Sequence, residues 1–324
     1  MFNNLSQKTS YLKNSLLWNT KGMLSKMKKS IDNNTCIVLY HGIVPGNHTK
    51  YNSRQLSINQ FISQLKLFKK HFNIEPLHSL PSEEQESDRA TLYITFDDGY
   101  KNNYDFAAPI LDELNIPATF FISTAKAADS HILWTDYLDI LSYYINIPIH
   151  LNGSTFKKRG REYNNGIISL KNYLKSSPWQ TKQEMLDTLN SYTDIFSRKK
   201  VLPYWELMDM NEIHSLSGNP LFDVGSHGLQ HNNLTSTSDA DALYECTTSK
   251  KYLENITGRP VDAFAFPDGA YDARTINIAR KAGYSKLFIV EGMTREHNVY
   301  TRFVINPYLN AKNQYKYILR GSYL

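Results

Sequence analysis

Cysteine is scarce in this chain: only Cys36 and Cys246 occur among 324 residues. Two thiols make no disulfide framework, and Cys36, which opens an apolar run, reads as a small buried hydrophobe. Long apolar runs are missing too. No stretch approaches the roughly 20 residues that cross a bilayer as a helix, and the N-terminus lacks the continuous apolar block of a secretory signal. The expected location is therefore the cytosol, including its membrane face. Acid is absent from Met1 to Ile31, against Lys8, Lys13, Lys21, Lys26, Lys28 and Lys29. Leu12, Leu16, Leu17, Trp18, Leu24 and Met27 interleave with these lysines. That is the pattern of a basic amphipathic helix, so peripheral contact with an anionic membrane is expected through residues 1–31. The alternative is a helix packed on the protein's own surface. The net charge of +5 is mild, and no nucleic-acid partner is expected.

What remains has the make-up of a globular enzyme: 41% hydrophobic and 21% charged residues leave enough apolar surface for a large core. The 22 tyrosines and 15 phenylalanines suit either core packing or a cleft for sugar rings. Residues 1–34 read as an extension and 35–324 as a catalytic domain. Cys36–His41, Thr91–Phe96, Ala118–Ile122, Phe222–Gly225, Ala263–Pro267 and Lys286–Val290 read as strands. Helical spacing lies between them at Ile58–Phe72, Tyr104–Leu114, Asp239–Ile256 and Asp272–Ala282. Such alternation predicts a parallel α/β architecture, with chemistry at the carboxyl ends of the strands. Residues of about 134–205 break the rhythm and read as one long, mainly helical insertion, a lid or wall of the cleft. Ser82–Arg89 reads as an acidic surface loop.

Two acids, Asp97 and Asp98, end the apolar strand Thr91–Phe96. Carboxylates near a core need a metal, a cation or hydrogen bonds to stay ionised. His227 and His231 lie four apart, which on one helical turn puts both rings on one side. Asp98, His227 and His231 make a three-ligand metal set with an open position for water, and Asp97 is left as a general base. Taken singly, Asp-Asp-Gly reads equally as a turn and the histidine pair as a solvated face. Together, each after a predicted strand, they point to a hydrolytic centre. Imidazole and carboxylate suit Zn2+ first, and also Co2+, Ni2+ or Fe2+. A third stretch, Phe264–Asp272, is a strand ending in a Pro/Gly turn, whose amides can hold an oxyanion.

In combination these stretches resemble the polysaccharide deacetylases of the NodB-homology type, carbohydrate esterase family four. Thr95–Tyr100 is similar to that family's first motif, His227–His231 to its second and Phe264–Gly269 to its third. Leu39–His41 and Ile132–Leu138 resemble a subgroup found among surface-glycan assembly genes. The likeness covers about residues 36–306. It implies a distorted (β/α) barrel with fewer than eight strands, and hydrolysis of an N-acetyl or O-acetyl group on a sugar. It implies Asp97 as base, Asp98, His227 and His231 as metal ligands, and the Asp268 amide at the oxyanion. Tyr100, His41 and Tyr271 are expected to face the substrate.

Two departures stand out. The family's third motif usually carries an Arg that steadies the base, and Ala265 occupies that place. Arg302, in the strand-like run Tyr300–Ile305, is the candidate replacement. The family's late Leu-x-His is also missing from Leu287–Ile289, with His297 or His41 as possible stand-ins for its general acid. Three functions fit: a metal-dependent sugar deacetylase acting on a glycan or glycan precursor, a deacylase for another acyl group or small amide, and a glycan-binding protein without turnover.

Overall fold

The computed structural model describes residues 35–80, 89–290 and 296–320. The basic extension of residues 1–34 and nearly all of the acidic loop expected at Ser82–Arg89 lie outside the described residues.

Seven parallel strands close into a barrel: β1 (Thr35–Tyr40), β2 (Thr91–Phe96), β3 (Ala118–Ile122), β4 (Phe222–Ser226), β5 (Ala263–Ala265), β6 (Lys286–Val290) and β7 (Val299–Val304). Each pairs with the next in sequence, and β7 returns to β1 through Val38↔Phe303 and Leu39↔Val304. This is the expected (β/α) barrel with fewer than eight strands. Strands buried on both faces read as near-continuous apolar runs, as in Cys36–Tyr40 and Leu92–Phe96.

Helices cover the outside. Ser57 caps Ile58–His71 by accepting from the Gln60 amide, and Lys69, Lys70 and His71 complement the far end of its dipole. Ser238 caps Asp239–Thr257, which stops at Gly258 in the left-handed region (φ 66°). The main core lies between these helices and the barrel, and a second cluster of Ile37, Tyr93, Phe121, Ala265 and Phe288 fills the barrel itself. Alternation along a strand makes Ile37, Leu39 and then His41 point inward on β1. On β2 the inward set is Tyr93, Thr95 and then Asp97. The register Tyr40↔Phe96 sets His41 level with Asp97 at the mouth.

The stretch 134–205 differs from the helical reading. Helix Trp134–Tyr144 is followed by an antiparallel meander, Ile149–Leu151, Ser154–Arg159 and Glu162–Asn164, and then by helices Leu170–Lys175 and Trp179–Thr188. The middle strand is Lys-rich and Phe156 is its one buried residue, so its apolar alternation is nearly invisible. The legible signal was Asn152-Gly153, both at positive φ (47° and 73°), the preferred pair for a tight hairpin. This stretch packs its own apolar cluster around Trp134, Leu141, Phe156 and Leu174.

Phe288 is fully buried in the barrel, with ring centroids 5.1 Å from Phe121 and 5.5 Å from Tyr300. Phe288→Ala should lower stability by about 3–5 kcal/mol in urea unfolding, and a loss under about 1 kcal/mol would contradict a packed interior.

Candidate active site

The strand ends bring the expected residues together. Just past β2 the chain turns left-handed at Asp98 (φ 76°) and Gly99 (φ 77°), and both carboxylates face His227, whose Nε2 lies 3.8 Å from Asp97 Oδ2 and 3.5 Å from Asp98 Oδ1. A Cβ at Gly99 would stand 2.8 Å from the Ile122 side chain, so the turn is tight against β3 as well as strained for any other residue. The Asp97 amide bonds the Tyr40 carbonyl at 3.0 Å, which fixes its backbone.

Arg302 rises from β7 inside the barrel and grips Asp97 with both arms of its fork. Nη1 lies 2.6 Å from Oδ1 and Nη2 2.8 Å from Oδ2. The guanidinium also stacks 5.1 Å over the Phe121 ring. Ala265 leaves the space on β5 where a long side chain would compete. His297 is exposed and precedes β7. It therefore sits at the end of the barrel opposite the mouth and cannot serve the site.

Asp98, His227 and His231 offer ligand atoms within 4.8 Å of one another. Asp98 Oδ1 lies 3.5 Å from His227 Nε2 and 3.3 Å from His231 Nε2. Both Asp98 oxygens are buried without a satisfying hydrogen bond, an arrangement that fits a cation. Burial works to raise the Asp98 carboxyl, but the two histidines more than offset it and hold it well below the usual range. Burial likewise works to lower His227, while Asp97 and Asp98 raise it. His227 Nδ1 lies 2.8 Å from the Ala265 carbonyl. A carbonyl only accepts, so Nδ1 carries a hydrogen, which leaves Nε2 as the nitrogen that can meet a metal.

The two histidines are not on a helical turn, contrary to the spacing argument. Residues 227–233 form an irregular loop. Positive φ at Gly228 (78°) and His231 (54°) folds it back, leaving the ring centroids 5.0 Å apart. The loop is held by Glu245, which sequence reasoning missed. Its carboxylate accepts from the amides of Leu229 (2.8 Å) and Gln230 (3.0 Å) and from Asn232 Nδ2 (2.8 Å). Trp134 Nε1 donates to the His231 carbonyl at 3.2 Å. The signal for Glu245 was an acid on an otherwise buried helix face, Ala242, Cys246 and Ser249.

Tyr100 is corrected as a substrate contact. It is fully buried, and its hydroxyl donates to Asp136 Oδ2 at 2.8 Å. Arg54 bridges the same Asp136 and, at 3.1 Å, Asp139. Burial pushes Asp136 up to about 6, against the pull of Arg54. His41 is half-buried at the mouth. Burial pushes it down to about 4, with Asp98 and Asp97 opposing. Tyr271 is partly buried near Phe266. On the third-motif turn, Gly269 and Ala270 spend their amides on Phe266 and Pro267 carbonyls. The Asp268 amide has no such carbonyl partner among the described turn bonds.

The family model for polysaccharide deacetylases matches residues 84–287. YxkH of Bacillus subtilis (strain 168) is 23% identical over 183 residues, 54% of this chain, and the match spans only 57% of that relative. Among solved structures, BC0361, a polysaccharide deacetylase from Bacillus cereus, superposes with a TM-score of 0.55 at 17% identity, covering 88% of this chain and 68% of its own. IcaB from Ammonifex degensii gives 0.56 at 14%, covering 89% and 97%. The Streptococcus pyogenes deacetylase PplD, in complex with acetate, gives 0.53 at 17%, covering 87% and 96%. At these identities the likeness to solved structures carries the barrel fold.

Glu245→Ala keeps every candidate ligand and frees the loop that carries two of them. Zinc affinity measured by chelator competition should fall about 10–100-fold, as for other groups that orient ligands, and an unchanged affinity would contradict this role.

Proposed function

The chain belongs to the polysaccharide deacetylase family, and from that premise we propose a metal-dependent hydrolase that removes an acetyl group, N-linked in the first instance, from a sugar of a surface glycan or its precursor. The observation that carries the reading is the junction of a clamped carboxylate with an unsatisfied Asp/His/His set: Asp97 on Arg302, beside Asp98, His227 and His231.

A divalent cation, Zn2+ by the donor set, would be held by Asp98, His227 and His231. It would supply a Lewis acid for the acyl carbonyl and make water a usable nucleophile near neutral pH. The chain's own groups do the rest. Asp97 takes the proton of the attacking water. Its carboxylate cannot swing, because both oxygens are held by the Arg302 fork. The acyl oxygen gains negative charge as water adds, and the Asp268 amide donates to it there. The C–N bond then breaks, acetate leaves, and the proton on Asp97 goes to the departing amine nitrogen. His41, level with Asp97 at the mouth, offers the sugar a hydrogen-bonding imidazole.

The test is acetate release from a panel of N- and O-acetylated sugars by zinc-loaded protein. Wild type should act on at least one member. Asp97→Asn should retain its metal by elemental analysis and lose about 10²–10⁴-fold in kcat. Near-wild-type turnover by Asp97→Asn with metal bound would remove Asp97 as the base.

A further inference from the structure

The stretch 134–205 touches the third-motif turn through one charge. Lys175, the last residue of helix Leu170–Lys175, places Nζ 2.5 Å from Asp268 Oδ1, with the side chains 23% and 12% exposed. The arm that presents it is locked. Lys182, fully buried, donates to the Ser177 carbonyl at 2.7 Å and lies 5.5 Å from the Trp134 ring. Trp134 in turn holds the His231 carbonyl. Asp268 sits at φ 60°, and its Oδ2 is buried without a hydrogen-bond partner.

This placement raises an electrostatic problem. The amide that is to receive the acyl oxygen belongs to a residue with a carboxylate of its own. A negative charge a few ångströms from a forming oxyanion, in a site sheltered from water, opposes the step that the amide is meant to assist. We propose that Lys175 neutralises the Asp268 carboxylate so that negative charge can form at the Asp268 amide, which makes Lys175 a positioning residue of the reaction. The inference rests on the reading of that amide as the oxyanion donor. Burial works to raise the Asp268 carboxyl, and Lys175, with His231 behind it, holds it below the usual range, so it is a full negative charge that the lysine must balance.

A mere tether and a neutralising charge respond differently to a second substitution. If the pair only ties the stretch to the barrel, losing both partners is no better than losing one. If Lys175 cancels a harmful charge, removing that charge makes the lysine dispensable. Asn keeps the left-handed backbone and the amide at position 268, so Asp268→Asn removes the charge with little else.

The experiment uses the zinc-loaded full chain and two readouts, kcat and KM for acetyl-sugar hydrolysis and the calorimetric Kd for sodium acetate. Lys175→Met should lower kcat about tenfold or more and weaken acetate by a similar factor, with KM within about threefold of wild type. The double variant Lys175→Met/Asp268→Asn should regain most of both losses relative to Lys175→Met, and Lys175→Arg should resemble wild type. A double variant no better than Lys175→Met, or a Lys175→Met protein equal to wild type, overturns the inference. If Lys175→Met does not fold, Lys175→Gln enters the same comparison. A wild type that releases no acetate from any sugar, yet binds acetate in the Lys175-dependent, Asp268→Asn-rescued way, refutes the function and supports the inference.

Discussion

A buried ion pair, Arg302 with Asp97, is the constraint around which the mouth of the barrel is arranged. Both partners are almost wholly removed from water. Such a pair is no gift to stability, since desolvation offsets most of the attraction, but losing one partner strands a charge and costs about 3–5 kcal/mol. Its value lies in geometry. Arg302 stands on β7 and Asp97 just past the end of β2, with β1 between them, so the fork spans the inside of the closed barrel. Phe121 supports the guanidinium from below. Opposite demands on neighbouring acids are thereby separated: Asp97 is saturated by a cation, whereas Asp98 faces His227 and His231.

The histidines depend on a different layer of support. An irregular loop cannot hold two imidazoles 5.0 Å apart by its own hydrogen bonds. Glu245, the Ala265 carbonyl and Trp134 supply what the loop lacks. Ala265 thus has two parts: its carbonyl sets the His227 tautomer, and its small side chain leaves the barrel interior to Arg302. Trp134 and Lys175 come from the stretch outside the barrel rhythm, so that stretch supports the site from above while Glu245 supports it from outside.

The barrel was largely legible, because buried parallel strands write themselves as apolar runs and the capped helices between them carry their own signals at Ser57 and Ser238. The site was legible wherever a costly residue ended a strand: Asp97, Asp98, His227 and, on β7, Arg302. Misreadings have specific causes. The His227–His231 spacing suggested a helix because sequence separation says nothing of the positive φ at Gly228 and His231. Tyr100 was expected at the substrate because it closes the first-motif stretch, but Asp136, distant in sequence, takes its hydroxyl. His297 is near β7 in sequence, yet direction along the strand puts it at the wrong end. Lys175 was invisible, since it owes its meaning to a partner brought near only by folding, and Glu245 showed only as an acid on an otherwise buried helix face. The meander escaped because a strand with one buried residue has no period to detect.

In the proposed reaction the fork of Arg302, not merely its charge, makes Asp97 an effective base. Arg302→Lys keeps a cation on β7 and so avoids a stranded carboxylate, but it gives up the bidentate grip. The deciding measurement is kcat and KM of zinc-loaded Arg302→Lys on the best acetylated sugar, with metal content determined on the same sample. Full metal occupancy, little change in KM and a kcat reduced about tenfold or more are expected. Wild-type kcat in a folded, metal-replete Arg302→Lys protein would contradict that role of the fork.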